Sequence, residues 1–182
     1  MQNSYSDYSW SFLVAAPSFS GAFFEEGVVL LLEDGEEGSF GVIINKSEGK
    51  TLGDINPDFA GTPLENVEVF DGGPIAKDRV SLAICYDDGK DDGAFSFGIT
   101  PEKTLELLEK NPDAKIAAFS GYSGWGANQL KAEIAEGTWI VSNADVNVIF
   151  DTPESEIWSE LLLRECPQFK ALTPPKNSPT LN

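Results

Sequence analysis

Apolar positions fall into short unbroken or alternating runs over the first hundred residues and into helix-spaced stripes only afterwards, which predicts hairpin strands with helices set against them. Residues 11–16 form the first strand, stopped by Pro17, and the continuous run 28–32 reads as a central strand buried on both faces. Residues 33–38 make a loop whose Glu33, Asp34, Glu36 and Glu37 solvate the tip and discourage edge pairing, and residues 40–45 return as the partner strand. Thr51 caps one helical turn through Ile55 that Pro57 ends, and the strand 67–70 runs into Asp71-Gly72-Gly73-Pro74. Runs 79–86 and 94–99 read as a second hairpin joined by the polar loop 87–93.

Helical spacing begins at Thr100, where Pro101 is pre-set for the first helical position and Glu102 suits the positive end of the dipole. This helix runs to Lys110 with Leu105 and Leu108 facing inward. The strand 114–119 then enters Gly121-Tyr122-Ser123-Gly124-Trp125-Gly126, read as a glycine-rich turn opening a helix over 126–136 with Ala127, Leu130 and Ile134 on one face. Runs 138–142 and 146–150 read as two more strands, and a last helix from Thr152-Pro153-Glu154 presents Ile157, Trp158, Leu161 and Leu162 as its inward stripe.

Strands outnumber helices and arrive without strict βα alternation. The expected fold is therefore α+β, with a large, mixed, mostly antiparallel twisted sheet flanked by about three helices. It occupies one domain over residues 11–166, between a flexible lead-in at 1–10 and a mobile proline-rich tail at 167–182.

Composition narrows the chemistry. With 30 acidic against 12 basic residues the net charge is −18, a field that repels phosphodiester backbones and anionic membrane surfaces. Nucleic acid is disfavoured as a partner, and no stretch has transmembrane length. The chain has no histidine, which removes the commonest general base and every Ser-His or Cys-His nucleophile pair. Cys85 and Cys166 form no ligand cluster, which suits a reduced, cytoplasmic setting; no metal and no cofactor is expected.

Three segments could carry chemistry. Gly121-Tyr122-Ser123-Gly124-Trp125 approaches the nucleophile elbow G-x-S-x-G, but Trp125 is too large for its position and Ser123 lacks a histidine base. Its glycine spacing is not that of a dinucleotide or nucleoside-triphosphate loop, which leaves an anion site at the helix N-terminus or a packing corner filled by Phe119, Tyr122 and Trp125. The loop 87–93 suits a solvated hairpin better than a calcium site, because Lys90 and Ile99 spoil two ligand positions. Asp71-Gly72-Gly73-Pro74 with Asp78 and Arg79 could place a carboxylate and a guanidinium together beside a turn, or Asp71 could simply hold that turn.

Along nearly its full length the chain resembles the YqgE/AlgH family of bacterial proteins. Phe12-Leu13-Val14-Ala15-Ala16-Pro17 with Phe23-Phe24, Gly41-Val42-Ile43-Ile44-Asn45-Lys46, and Gly72-Gly73-Pro74 with Arg79 are similar to its first two motifs. Gly121-Tyr122-Ser123-Gly124-Trp125-Gly126 with Gln129-Leu130, Glu133-Ile134, Gly137 and Trp139 resembles its most specific one. The resemblance implies a single α+β domain with a large twisted sheet, and it implies no reaction and no catalytic residues. Where relatives in that family carry histidine near the end of the second strand, this chain has Glu33-Asp34.

The expected function is a non-catalytic regulatory or binding role. A surface formed by Asn45, Asp71, Gly72, Gly73, Pro74, Arg79, Gly121, Tyr122, Ser123, Gly124, Trp125 and Gly126 would hold a small ligand or a protein partner. Two alternatives stand beside it: a transcriptional regulator contacting DNA, which the resemblance raises and the charge opposes, and a cryptic carboxylate-dependent enzyme.

Overall fold

The structure, a computed structural model, describes residues 7–19, 23–87, 89 and 94–171. In chain order its elements are β1 (Ser11–Ala15), β2 (Val28–Gly35), β3 (Gly38–Ile43), β4 (Ser47–Thr51), α1 (Leu52–Ile55), β5 (Glu68–Asp71), β6 (Ile75–Tyr86), β7 (Ala94–Ile99), α2 (Pro101–Lys110), β8 (Lys115–Gly126), α3 (Gln129–Ala135), β9 (Trp139–Asn143), α4 (Asn147–Asp151) and α5 (Glu154–Glu165). The strands form one mixed nine-stranded sheet, with β4-β5-β8-β3-β2-β1-β9 as the main path and β6 and β7 branching from β8. Among the described pairings only β5 with β8 is parallel. The fold is α+β, as expected, and α2, α3 and α5 are the three helices expected, joined by the two short helices α1 and α4.

The unbroken apolar runs are explained by cover on both faces. Phe12, Val14, Val28, Leu30 and Val42 pack against Ile149 of α4 and Ile157, Trp158, Leu161 and Leu162 of α5. Their neighbours Leu13, Ala15, Val29, Leu31 and Ile43 point the other way, onto Leu130 of α3, Trp125 and Trp139. A third cluster gathers Leu52, Leu64, Val69, Leu82 and Ala118 beneath α1 and α2. Thr51 and Asp54 close a capping box at α1, and Thr100 caps α2 through the Lys103 amide.

Several local expectations are corrected. Gly121–Gly126 is not a turn; it is the second half of β8, which pairs with β3 from Gly41↔Ser123 to Gly38↔Gly126. Its helix starts only at Gln129, after Asn128 at φ 62°. Residues 146–150, read as a strand, begin α4, because the Asp145 side chain and carbonyl accept the Asn147 and Val148 amides and wind the chain. The loop expected at 33–38 contracts to Glu36-Glu37, and Asp34 is buried there rather than solvated, accepting the Tyr8 amide at 3.0 Å and the Ser39 hydroxyl at 2.5 Å. The short edge strand β4 was not foreseen. Most of the 87–93 loop, with its calcium reading, lies outside the described residues, as do 172–182 of the expected tail.

β8 organises the site. Ala118, Phe119 and Ser120 pair with Val69, Phe70 and Asp71 of β5 on one edge and with Leu82, Ser81 and Val80 of β6 on the other. Gly72, Gly73 and Pro74 therefore carry the chain across β8 from one edge to the other, a span of about 9–10 Å for two strand spacings. The crossing is backbone on backbone. A Cβ on Gly73 would overlap the Tyr122 carbonyl, and one on Gly121 would lie 2.5 Å from the Gly73 oxygen and 2.8 Å from the Ile75 oxygen. Glycine at these positions is what lets the two segments touch.

Candidate functional site

The expected surface divides into a buried structural part and an open groove. Asn45 belongs to the first: its Oδ1 accepts the Val28 amide and its Nδ2 donates to the Glu26 carbonyl, both at 2.8 Å. Its neighbour Lys46 donates to the Phe23 carbonyl at 2.6 Å and lies 5.8 Å from the Phe23 ring centroid. The Asn-Lys pair thus holds the turn leading into β2. Ser123 is fully buried and donates to the Gly72 carbonyl at 3.2 Å, which fixes the crossing and gives the hydroxyl no access to solvent.

Asp71 accepts the Gly73 amide at 3.2 Å, and its Oδ1 lies 2.5 Å from Lys77 Nζ. Lys77 also reaches Glu48 at 3.4 Å. Burial draws the Lys77 ammonium down, but hydrogen bonds and attraction to Asp71 and then Glu48 outweigh it and hold the ammonium above its ordinary value. Of the two readings of this turn, the second fits: Asp71 holds the turn and pairs with Lys77, and exposed Arg79 makes no ion pair with another described residue. A long bulge accompanies this pairing: residues 76–79, Lys77 among them, intervene between the paired Ile75↔Tyr122 and Val80↔Ser120, where β8 has only Gly121.

Gly126, read as the first residue of a helix whose N-terminus could take an anion, is instead the last residue of β8, and its amide is taken up by the chain itself. Gln129 Oε1 accepts the Gly126 amide at 3.0 Å, and Gln129 Nε2 donates to Glu133 Oε1 at 2.9 Å. Glu133 Oε2 receives the indole N–H of Trp125 at 2.9 Å and that of Trp139 at 2.8 Å. Tryptophan, glutamine, glutamate and tryptophan of the third motif are one hydrogen-bonded unit clamping α3 to β8 and β9. Trp125 is nearly buried in this packing, but the corner expected from Phe119, Tyr122 and Trp125 together does not form: Phe119 belongs to the cluster on the opposite face and Tyr122 is exposed.

What remains open is a groove of ≈660 Å³. By register, Phe40 shares a face with Val42 and lies opposite both Glu33 and Gly124, while Tyr122 lies opposite Ile75. This is the face that α4 and α5 cover at its far end, and no helix residue lines the groove. Glu33, Phe40, Ile75, Phe97 and Tyr122 form its walls, with Gly38, Gly124 and Gly126 along its floor. Tyr122 remains 37% exposed and Ile75 39%, although the Tyr122 ring stands edge-on to Phe40 at 6.2 Å.

Two of the floor glycines answer no demand of the fold. Gly124 and Gly126 are absent from the positive-φ residues. A Cβ on Gly126 would meet only Gln129 Oε1 at 3.9 Å, and one on Gly124 would lie 3.1 Å from the movable Ile75 Cδ1. Their bareness opens the groove, whereas that of Gly73 and Gly121 closes the crossing.

Of the twelve expected residues, Tyr122, Gly124, Trp125 and Gly126 line the groove; Gly72, Gly73, Pro74 and Gly121 form the backbone crossing and do not line it, and Asn45, Asp71, Arg79 and Ser123 also fall outside. Reasoning on sequence missed Phe40, Ile75 and Phe97. Strand alternation from Val42 is the one signal that puts Phe40 on this face, and nothing local announces that Ile75 pairs with Tyr122. Cys85 and Cys166 are free, and burial pushes the Cys85 thiol up, away from a reactive thiolate. No helix among the described residues is long and apolar enough to cross a membrane.

The sequence model of a family described as AlgH-like matches residues 12–169. The chain is 32% identical to a UPF0301 protein of Vibrio cholerae over 165 residues, covering 83% of this chain and 88% of the relative. It is also 32% identical to a UPF0301 protein of Streptomyces coelicolor over 180 residues, covering 93% of each. In three dimensions it is similar to the solution structure of the AlgH protein from Pseudomonas aeruginosa, with a TM-score of 0.70 and 25% identity over 98% of this chain and 99% of that one. A crystal structure from Corynebacterium diphtheriae shares the fold, with a TM-score of 0.69 and 23% identity over 90% of each chain.

Proposed function

This chain belongs to the AlgH-like family, and from that premise we propose that it is a non-catalytic binding protein whose groove takes an apolar group of a small ligand or of a protein partner. The observation that carries the reading is the pair Gly124 and Gly126, bare where the fold would accept a side chain and placed beneath Phe40, Ile75, Phe97 and Tyr122. Apolar walls over a flat floor reward a flat or extended apolar group by removing its surface from water. Glu33 in the lining, with Glu36 and Glu37 at the adjoining hairpin tip, favours an uncharged or cationic occupant and opposes nucleic acid.

A photo-crosslinking side chain substituted for Tyr122 in living cells tests the proposal. The expected result is a discrete adduct that disappears when Gly124→Val fills the floor. No adduct, or one indifferent to Gly124→Val, contradicts it.

A further inference from the structure

A second opening lies on another part of the sheet and takes no part in the groove. It is a cleft of ≈470 Å³ between the β6 bulge, α1 and the start of α2. Its depth and its rim differ in chemistry. Leu52, Val69 and Leu82 at the bottom are between 0 and 4% exposed, while Ile55 and Val80 stand 38 and 40% exposed at the edge. Large aliphatic side chains left in contact with water around a depression are where an apolar chain gains most by binding.

Glu48, Lys77 and Asp78 sit at the same opening, with Asp71 behind Lys77. The opening thus carries more carboxylate than ammonium, and the one ammonium in its lining already pairs with Asp71 at 2.5 Å and Glu48 at 3.4 Å. An incoming anion would meet this surplus of carboxylates and would have to compete for Lys77. An incoming cation meets Glu48 and exposed Asp78, within the field of a chain carrying net charge −18.

We propose that this cleft binds a primary aliphatic amine, with its hydrocarbon chain laid over Leu52, Val69 and Leu82 and its ammonium at the rim between Glu48 and Asp78. The polarity sets the direction of entry. A lysine side chain of a partner protein would enter ammonium first and bury its charge against leucine and valine, which costs more than the contacts return. A free amine enters tail first and keeps its charge hydrated. An aliphatic carboxylate of the same length has the same tail and the wrong head.

The test is heteronuclear NMR titration of the intact chain with n-hexylamine, n-hexanoate and a doubly capped lysine, each at constant ionic strength. The expected outcome is saturable binding of n-hexylamine in the millimolar range, with shifts at Leu52, Val80 and Leu82, and weaker or no binding of the other two. Glu48→Gln and Asp78→Asn should each weaken n-hexylamine by about threefold, as for an exposed charge pair. Val80→Phe should block the cleft. Glu36→Gln, at the distant hairpin tip, should leave the affinity unchanged. Equal binding of n-hexanoate or capped lysine overturns the assignment, as does failure of n-hexylamine to saturate. A loss in Glu36→Gln equal to that in Glu48→Gln would reduce the effect to general attraction by an acidic protein and overturn it too. Tyr122→Ala should have no effect, which separates this cleft from the groove.

Discussion

Trp125 and Trp139 donate their indole N–H groups to the same oxygen of Glu133, at 2.9 and 2.8 Å, while their rings stand nearly perpendicular with centroids 6.0 Å apart. The carboxylate lies on α3, and the two indoles come from β8 and β9, so one side chain joins three elements. Glu133→Ala leaves two nearly buried N–H groups without their acceptor and should destabilise the fold by about 2–6 kcal/mol, at about 1–3 kcal/mol for each unpaired group. Urea unfolding followed by tryptophan fluorescence measures this. A change near zero would mean that water replaces the carboxylate at no cost.

Gly121 and Gly49 have nearly the same positive φ, 69° and 65°, and opposite surroundings. An added Cβ at Gly49 meets nothing within 4 Å, whereas at Gly121 it meets the Gly73 oxygen at 2.5 Å. Gly49→Ala should therefore cost only the left-handed conformation, about 1–2 kcal/mol. Gly121→Ala adds a clash with backbone that cannot move aside and should exceed about 3 kcal/mol, or prevent folding. Equal effects in chemical denaturation would contradict the backbone-on-backbone crossing.

Asn45 satisfies an amide and a carbonyl of the turn before β2 at once. Asn45→Ala should cost about 1–3 kcal/mol through those two groups. Amide hydrogen exchange should quicken at Val28 more than at Leu82 across the sheet. Uniform acceleration would show global loss of stability instead.

On α2, hydrogen bonds from Lys110 and then Lys103 hold the Glu106 carboxyl down, from 4.5 to about 2. A carboxylate lowered in this way stabilises the helix above its unfolded value near 4.5, and the contribution is lost as pH falls towards about 2. Carbon-detected titration of Glu106 should give a midpoint well below 4.5, returning towards it in Lys103→Gln with Lys110→Gln. A midpoint at 4.5 in the unsubstituted chain would show that water screens both pairs.

Most strands and the long helices were legible because local pattern and burial agree there, as in β1, where both faces are covered, and in α5, whose stripe Ile157, Trp158, Leu161 and Leu162 turns inward. The glycine-rich half of β8 was not legible. Three glycines in six residues read locally as a turn, and only pairing with β3, more than 80 residues away, makes them a strand. The alternation of exposed Tyr122, Gly124 and Gly126 with buried Ser123 and Trp125 was the available signal, obscured by how small the glycines are. Residues 146–150 failed for the opposite reason: β-branched composition suggested a strand, and the short-range bonds of Asp145 decided otherwise. Several motif positions, such as Gly73, Gly121, Ser123 and Asn45, serve packing and backbone crossing, which no reading of residue types could separate from binding.

The central claim is that Gly124 and Gly126 keep a groove open for an apolar group. Chemical-shift mapping with indole as the probe, on the unsubstituted chain and on Gly124→Val, tests it most directly. The account predicts saturable shifts confined to Phe40, Ile75, Phe97, Tyr122 and Gly124, and their loss in a Gly124→Val chain whose unfolding midpoint is unchanged. Shifts scattered over the surface, or undiminished binding by folded Gly124→Val, would contradict it.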